Sequence, residues 1–173
     1  MQNKWGKLSA DWKQVREIII FGFGNMTSQY IEQVMRDVKV LFLIDNNSKY
    51  KGTTYKGIPI YSYEEAEGLI GKTKIVLSAE TIALNNMKQE LTRCGYKENV
   101  DFTSLERFVC EWGYKHLEKA RLFEVHTAVT TRCSFNCKKC NMFMPYYKER
   151  FSYNLEELQR NIDVLFSHID YIF

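Results

Sequence analysis

The sequence predicts an α/β fold, and three observations support that prediction. Short apolar blocks that stop at glycine or aspartate alternate with stretches whose apolar residues recur at helical spacing. Of the residues, 45% are hydrophobic and only 2 are proline, which is typical of a globular chain with a buried core. The 173 residues suffice for one ordinary domain, or for a small domain and part of another.

The first elements form a βαβ unit. Residues 17–21 (EIIIF) predict a strand that is buried on both faces and stops at Gly22. Apolar residues then recur with helical spacing between Met26 and Met35, and residues 40–44 (VLFLI) predict a second buried strand that ends at Asp45.

The pattern continues with a short extended piece at residues 57–61. Ser62 and Glu65 predict a capping box that opens a helix ending near Gly71. A third strand is predicted at residues 74–78, and a helix from about 82 to 94 follows it. Gly95 fits the C-terminal cap of that helix.

The second half of the chain predicts a change of domain. Residues 104–120 have a helical pattern and lead to a new strand at 122–129, while Asn154 opens another helix and residues 171–173 begin a further strand. The expected domains are 1–103, a linker helix at 104–121, and 122–173. Because an apolar strand needs neighbours to cover it, the sequence is expected to be a fragment that is inactive alone.

Three cysteines stand close together at the end of the strand predicted at 122–129. Cys133, Cys137 and Cys140 have the spacing C-x3-C-x2-C. Three thiolates on a tight loop can each bind one iron of a cubane cluster and leave the fourth iron without a protein ligand. The dense spacing and the odd total of 5 cysteines favour metal ligands over disulfides.

This segment resembles the radical S-adenosylmethionine (SAM) family, whose C-x3-C-x2-C loop follows the first strand of a partial or full β/α barrel. The resemblance covers about residues 122–173, the first βα unit of that barrel and the start of its second strand. It implies that the three cysteines hold a [4Fe-4S] cluster whose open iron is chelated by SAM. It further implies an enzyme that cleaves SAM to a 5'-deoxyadenosyl radical, with an electron donor and a small-molecule substrate as partners. Lys139 stands where the family often has an aromatic residue, and the SAM-contacting residues are expected beyond Phe173.

A structural zinc site is the alternative for the same cysteines. His126, His168 or Cys110 could supply a fourth ligand, and the chain would then be a non-catalytic nucleotide-binding or docking module. Cys94 and Cys110 lie within helical patterns and are expected to pack as small apolar residues. The basic residues around the cluster either offset its negative charge or form a solvated loop; they are Arg132, Lys138, Lys139, Lys148 and Arg150.

A glycine turn follows the first predicted strand. The first part of a dinucleotide-binding fingerprint is matched by Gly22, Gly24, Asn25 and Asp45. In that fingerprint, glycines let the backbone approach a phosphate, and an aspartate accepts hydrogen bonds from ribose hydroxyls. Thr27 occupies the third glycine position, which predicts looser packing of the helix on the strand.

Residues 17–103 also resemble the Rossmann-like domains attached to sugar-modifying enzymes and acyltransferases. The similar segments are GFGN at 22–25, IDNN at 44–47 and GIPI at 57–60. The resemblance implies a nucleotide or nucleotide sugar as ligand, with a purely docking role as the equal alternative. No hydride-transfer residues are evident, so dehydrogenase activity is not expected.

The composition indicates neither a nucleic-acid partner nor a membrane partner. The formal charge of +3 is too small to indicate a nucleic-acid partner, and the apolar runs are too short to span a bilayer. A cytoplasmic protein without a membrane partner is therefore expected.

Overall fold

The computed structural model of the protein describes residues 8–114, 121–122, 130, 132, 149, 151–169 and 171–172. The chain forms two compact units, Met1–Glu118 and Lys119–Phe173. Within the described residues, no helix has the length and apolar character needed to cross a membrane.

The first unit is an α/β domain, as the sequence predicts. Its strands are β1 (Glu17–Phe21), β2 (Lys39–Ile44), β3 (Thr54–Tyr55), β4 (Ile58–Tyr61), β5 (Lys74–Leu77) and β6 (Phe102–Ser104). Its main helices are α1 (Asn25–Asp37), α2 (Tyr63–Ile70) and α3 (Thr81–Arg93). A short α4 (Leu105–Arg107) continues into a π-helical segment, Phe108–Trp112.

The six strands form one sheet in the order β3-β4-β2-β1-β5-β6. All neighbouring pairs are parallel except β3 with β4. From β1 the chain passes to β2 on one side of the sheet, and after β4 it crosses to β5 on the other side. The strand order therefore reverses between β1 and β5.

Side chains cover both faces of the central strand. Ile19 and Phe21 of β1 belong to a core cluster that includes Ala66 of α2 and Leu91 of α3. Ile18, which alternates with them along β1, is equally buried. A strand buried on both faces has no polar alternation, which explains the continuous apolar run in the sequence.

Local capping fixes the ends of two helices where the sequence predicts them. The Ser62 hydroxyl accepts the Glu65 amide, and the Glu65 carboxylate accepts the Ser62 amide at 2.9 Å. At the end of α3, Gly95 has φ of 89° and its amide donates to Thr92, while the Tyr96 amide donates to Leu91. These two bonds form a Schellman motif, so both predicted caps are confirmed.

The segment after β6 packs onto the first unit. Trp112 is buried, and its indole donates to the Trp12 carbonyl at 2.9 Å. The indole of Trp12 donates in turn to the Asn99 carbonyl at 3.1 Å. The boundary between the units, after Glu118, falls inside the segment 104–121 expected to be a linker. The first half of that segment contributes to the core of the first unit.

The second unit contains a parallel strand pair. Strand β7 (Arg121–Leu122) pairs in parallel with β8 (Tyr171–Ile172), and α5 (Leu155–His168) lies between them in the chain. Asn154 caps α5 by accepting the Glu156 amide at 2.8 Å. Because adjacent parallel strands need a crossover connection, this arrangement is a βαβ unit.

Candidate functional site

The glycine turn leaves β1 through a backbone conformation that a larger residue would strain. Gly22 has φ of 106°, and its amide donates to the Ile44 carbonyl at 2.8 Å. A Cβ at Gly22 would lie 2.1 Å from the Ser78 carbonyl oxygen. The ends of β1 and β5 thus approach each other so closely that only glycine fits at this position.

Asp45 fastens the turn to the end of β2. One carboxylate oxygen accepts the Phe23 amide at 2.7 Å, and the other accepts the Asn47 amide at 2.8 Å. Each oxygen retains a second lone pair, so a ribose hydroxyl could still donate to this carboxylate. The structure therefore brings Asp45 to the glycine turn and gives it a bracing role that the sequence pattern does not reveal.

The two asparagines after Asp45 also bind backbone amides. The side chain of Asn46 accepts the Tyr63 amide at the first turn of α2, at 2.9 Å. The side chain of Asn47 accepts the Lys49 amide at 3.2 Å. The segment IDNN thus connects the glycine turn, α2 and a short 3₁₀ helix (Ser48–Tyr50), which supplies a structural reason for its composition.

Thr27 tightens the packing that it was expected to loosen. Its side chain is buried, and its hydroxyl donates to the Gly22 carbonyl at 2.6 Å. The same oxygen is hydrogen bonded to the hydroxyl of buried Ser78 at 2.8 Å. A glycine at position 27 would allow α1 to pack closely on the sheet. Here the hydroxyls of Thr27 and Ser78 instead connect α1 to the ends of β1 and β5. The expectation of loose packing was wrong because it ignored Ser78, which is distant in sequence.

Aromatic side chains pack beside the turn. The ring centroid of Phe23 lies 4.9 Å from that of Tyr50 and 4.9 Å from that of Tyr55. The ammonium of Lys49 lies 4.4 Å from the centroid of Tyr50. Sequence reasoning missed these tyrosines, because they lie in a turn and a two-residue strand without periodicity.

The other side of the turn is exposed. Gly24 and Asn25 are exposed, and a Cβ added at Gly24 would meet no atom within 4 Å. Gly24 precedes the first turn of α1, which has no side-chain cap and no acidic residue. In open parallel sheets, ligands bind outside the carboxyl ends of strands where the strand order reverses. Gly22, Gly24 and Asn25 follow β1 at such a place, and Asp45, at the end of the neighbouring β2, reaches the same turn through its bond to Phe23, so the structure brings the predicted nucleotide-site residues together.

The predicted metal ligands fall elsewhere. Cys133, Cys137 and Cys140 lie outside the described residues, as does His126. Within the part of the chain that the structure describes, no group of three or more His, Cys, Asp or Glu residues could hold a metal ion.

The other two cysteines differ from the expectation that both are packed. Cys94 is exposed, because it caps the end of α3 instead of lying inside the helix. Cys110 is partly buried in the π-helical segment.

Comparison with known proteins identifies the first unit. No curated protein matches the chain. Residues 14–100 match the model of a family described as C2185-like, N-terminal. The match spans half of the chain and runs from the residues before β1 to the loop before β6, so it includes the glycine turn and Asp45. The chain therefore belongs to the C2185-like N-terminal family.

Proposed function

We propose that the protein is a radical SAM enzyme whose Cys133, Cys137 and Cys140 bind a [4Fe-4S] cluster, and that SAM binds to the open iron of this cluster. The observation that carries the proposal is the position of the C-x3-C-x2-C spacing in the chain, between β7 and α5 of a βαβ unit. The parallel pairing of β7 with β8 supports an assignment of this unit to the start of a β/α barrel. Catalytic groups of such barrels lie in the loops that follow the strands.

The donor set fits this cofactor. Cys133, Cys137 and Cys140 would each hold one iron of the cluster through a thiolate, and the iron without a protein ligand would be available to SAM. When bound, the reduced cluster supplies the electron that cleaves the sulfonium bond of SAM and starts hydrogen abstraction from the substrate. The neighbouring basic residues offset the negative charge of the cluster; they are Arg132, Lys138, Lys139, Lys148 and Arg150. The protein would need an electron donor and a small-molecule substrate, and we place it in the reducing cytoplasm.

For the first unit, we propose a Rossmann-like domain that binds a nucleotide or nucleotide sugar. The five parallel strands, numbered along the chain, stand in the order 3-2-1-4-5 of such folds, which supports the assignment. Gly24 and Asn25 would face the phosphate at the start of α1, where the helix dipole favours an anion. Asp45 would hold the turn in shape and accept a ribose hydroxyl on a remaining lone pair.

Metal analysis tests the cluster. After anaerobic reconstitution the protein should contain about four irons per chain, and its EPR signal should change when SAM is added. Cys137→Ala should abolish stable cluster binding, because it removes one of three ligands. The matched control Cys94→Ala should retain the cluster, because Cys94 lies at the exposed end of α3. Stoichiometric zinc without iron uptake would contradict the proposal and favour a structural zinc site.

Calorimetry with common nucleotides and nucleotide sugars tests the first unit. Gly24→Val should weaken binding without unfolding the domain, because a side chain would occupy the open space above the turn. Gly68→Ala is the control, since Gly68 lies in α2 and also has open space around it. If the unmodified protein binds none of these ligands at millimolar concentration, a docking role replaces nucleotide binding.

A further inference from the structure

A single hydroxyl makes three hydrogen bonds at the start of the cysteine segment, which is residues 131–151 and contains Cys133, Cys137 and Cys140. The Thr130 hydroxyl donates to the Phe151 carbonyl at 3.0 Å and accepts the Arg132 amide at 3.0 Å. It also lies 2.7 Å from the Ser152 hydroxyl. Either hydroxyl can be the donor of this third bond; while the Thr130 hydroxyl donates to the Phe151 carbonyl, the Ser152 hydroxyl donates to Thr130. One donor and two acceptors are the full capacity of a hydroxyl.

The backbone joins the same two residues. Thr130 and Ser152 form an antiparallel β-bridge, so both main chain and side chains hold them together. The cysteine segment begins just after Thr130 and ends just before Ser152 in the chain. All three cysteines therefore lie on a stretch of chain whose two ends meet at this pair.

We propose that Thr130 and Ser152 form a hydroxyl clamp that positions the cysteine segment for metal binding. This inference rests on the proposed cluster, and the two residues are positioning residues that do not touch it. An open chain that binds a cluster must lose the conformational freedom of both its ends. With the ends already joined, less entropy remains to be lost, and the bound cluster dissociates more slowly.

The clamp contributes little to the stability of the folded core. Ser152 and Arg132 are exposed, and Thr130 is only partly buried. Substitutions at such surface positions change the stability of a fold very little. The effect should therefore appear in cluster retention and in the local opening of the segment, while the unfolding midpoint of the protein stays the same.

The test compares four variants of the protein. Thr130→Val keeps the shape of the side chain but removes the hydroxyl and its three hydrogen bonds. Ser152→Ala removes only the bond between the two hydroxyls. Thr130→Ser retains the hydroxyl, and Ser167→Ala removes an exposed hydroxyl of α5 that donates to the Val164 carbonyl of the same helix. The rate of cluster loss to a chelator, followed by absorbance and iron content, should rise about fivefold in Thr130→Val and less in Ser152→Ala. Thr130→Ser and Ser167→Ala should match the wild type.

A second measurement separates the clamp from the cluster. In the apoprotein, Thr130→Val should speed hydrogen exchange of the Arg132 amide several-fold, because that amide loses its acceptor. Wild type that takes up no iron would contradict the proposed function, whereas equal rates of cluster loss in wild type and Thr130→Val would overturn the clamp alone. Unchanged exchange at Arg132 would overturn the clamp whether or not the protein binds iron.

Discussion

Gly22 is the residue where the geometry of the turn leaves least freedom. An added Cβ would lie 2.1 Å from the Ser78 carbonyl oxygen, and φ of 106° already disfavours any larger residue. The Ser78 carbonyl cannot retreat easily, because the Ser78 amide donates to Phe21 at 2.8 Å. We expect Gly22→Ala to lower the free energy of unfolding by about 2 to 4 kcal/mol, measured by urea denaturation.

Gly24 provides the control for that measurement. Its backbone is extended, and an added Cβ would have no atom within 4 Å. Gly24→Ala should change the free energy of unfolding by no more than about 0.5 kcal/mol. Equal losses for the two variants would show that the close approach of β1 and β5 does not explain the need for glycine.

Thr27 and Ser78 test the hydroxyl pair beneath the turn. Thr27→Val leaves the buried Ser78 hydroxyl and the Gly22 carbonyl without their partner, which should cost about 1 to 3 kcal/mol. In a double-mutant cycle with Ser78→Ala, the combined loss should be smaller than the sum of the single losses. Strict additivity would mean that the two hydroxyls do not depend on each other.

At the scale of elements, the capping box makes the start of α2 sensitive to pH. Hydrogen bonds from the Ser62 amide and hydroxyl lower the pKa of Glu65 below its usual value of 4.5, and Lys51 adds to the effect. A lowered pKa in the folded state stabilises the fold above the unfolded pKa, and this stabilisation is lost as the pH falls through the folded pKa.

We therefore expect the wild type to lose stability below about pH 4.5 more steeply than Glu65→Gln, whose amide does not titrate. Urea unfolding at neutral pH and at successively lower pH checks this. Parallel pH profiles for the two proteins would rule out a role for the Glu65 charge.

Local pattern sufficed to predict most of the first unit. The strand at Glu17–Phe21, the helices α1 to α3 and both caps follow from apolar spacing and from residues near in sequence. Strands β3 and β6 were not predicted, because two or three residues are too few to show a period. The roles of Thr27 and Asp45 depend on partners far along the chain, and such pairings appear only when the sheet is assembled.

For the whole molecule, the extent of the first unit predicts which shortened chains fold. A chain that ends at residue 118 should unfold cooperatively in urea, followed by tryptophan fluorescence. A chain that ends at residue 104 lacks Phe108, Val109 and Trp112, which are all buried, and leaves Trp12 without its neighbours. Loss of one buried tryptophan alone typically costs about 3 to 5 kcal/mol, so the shorter chain should be unfolded or much less stable. Equal stability of the two chains would contradict this account of the boundary.

The bond between the Trp112 indole and the Trp12 carbonyl spans 100 positions of the sequence. This separation determines how early the bond can form while the chain is being synthesised. At about 5 to 20 residues per second, the ribosome needs about 5 to 20 seconds to add Trp112 after Trp12. Throughout that interval Trp12 lacks the indole of Trp112, which donates to its carbonyl in the finished domain. The core of the first unit can therefore be completed only after the π-helical segment Phe108–Trp112 has been made and has left the exit tunnel.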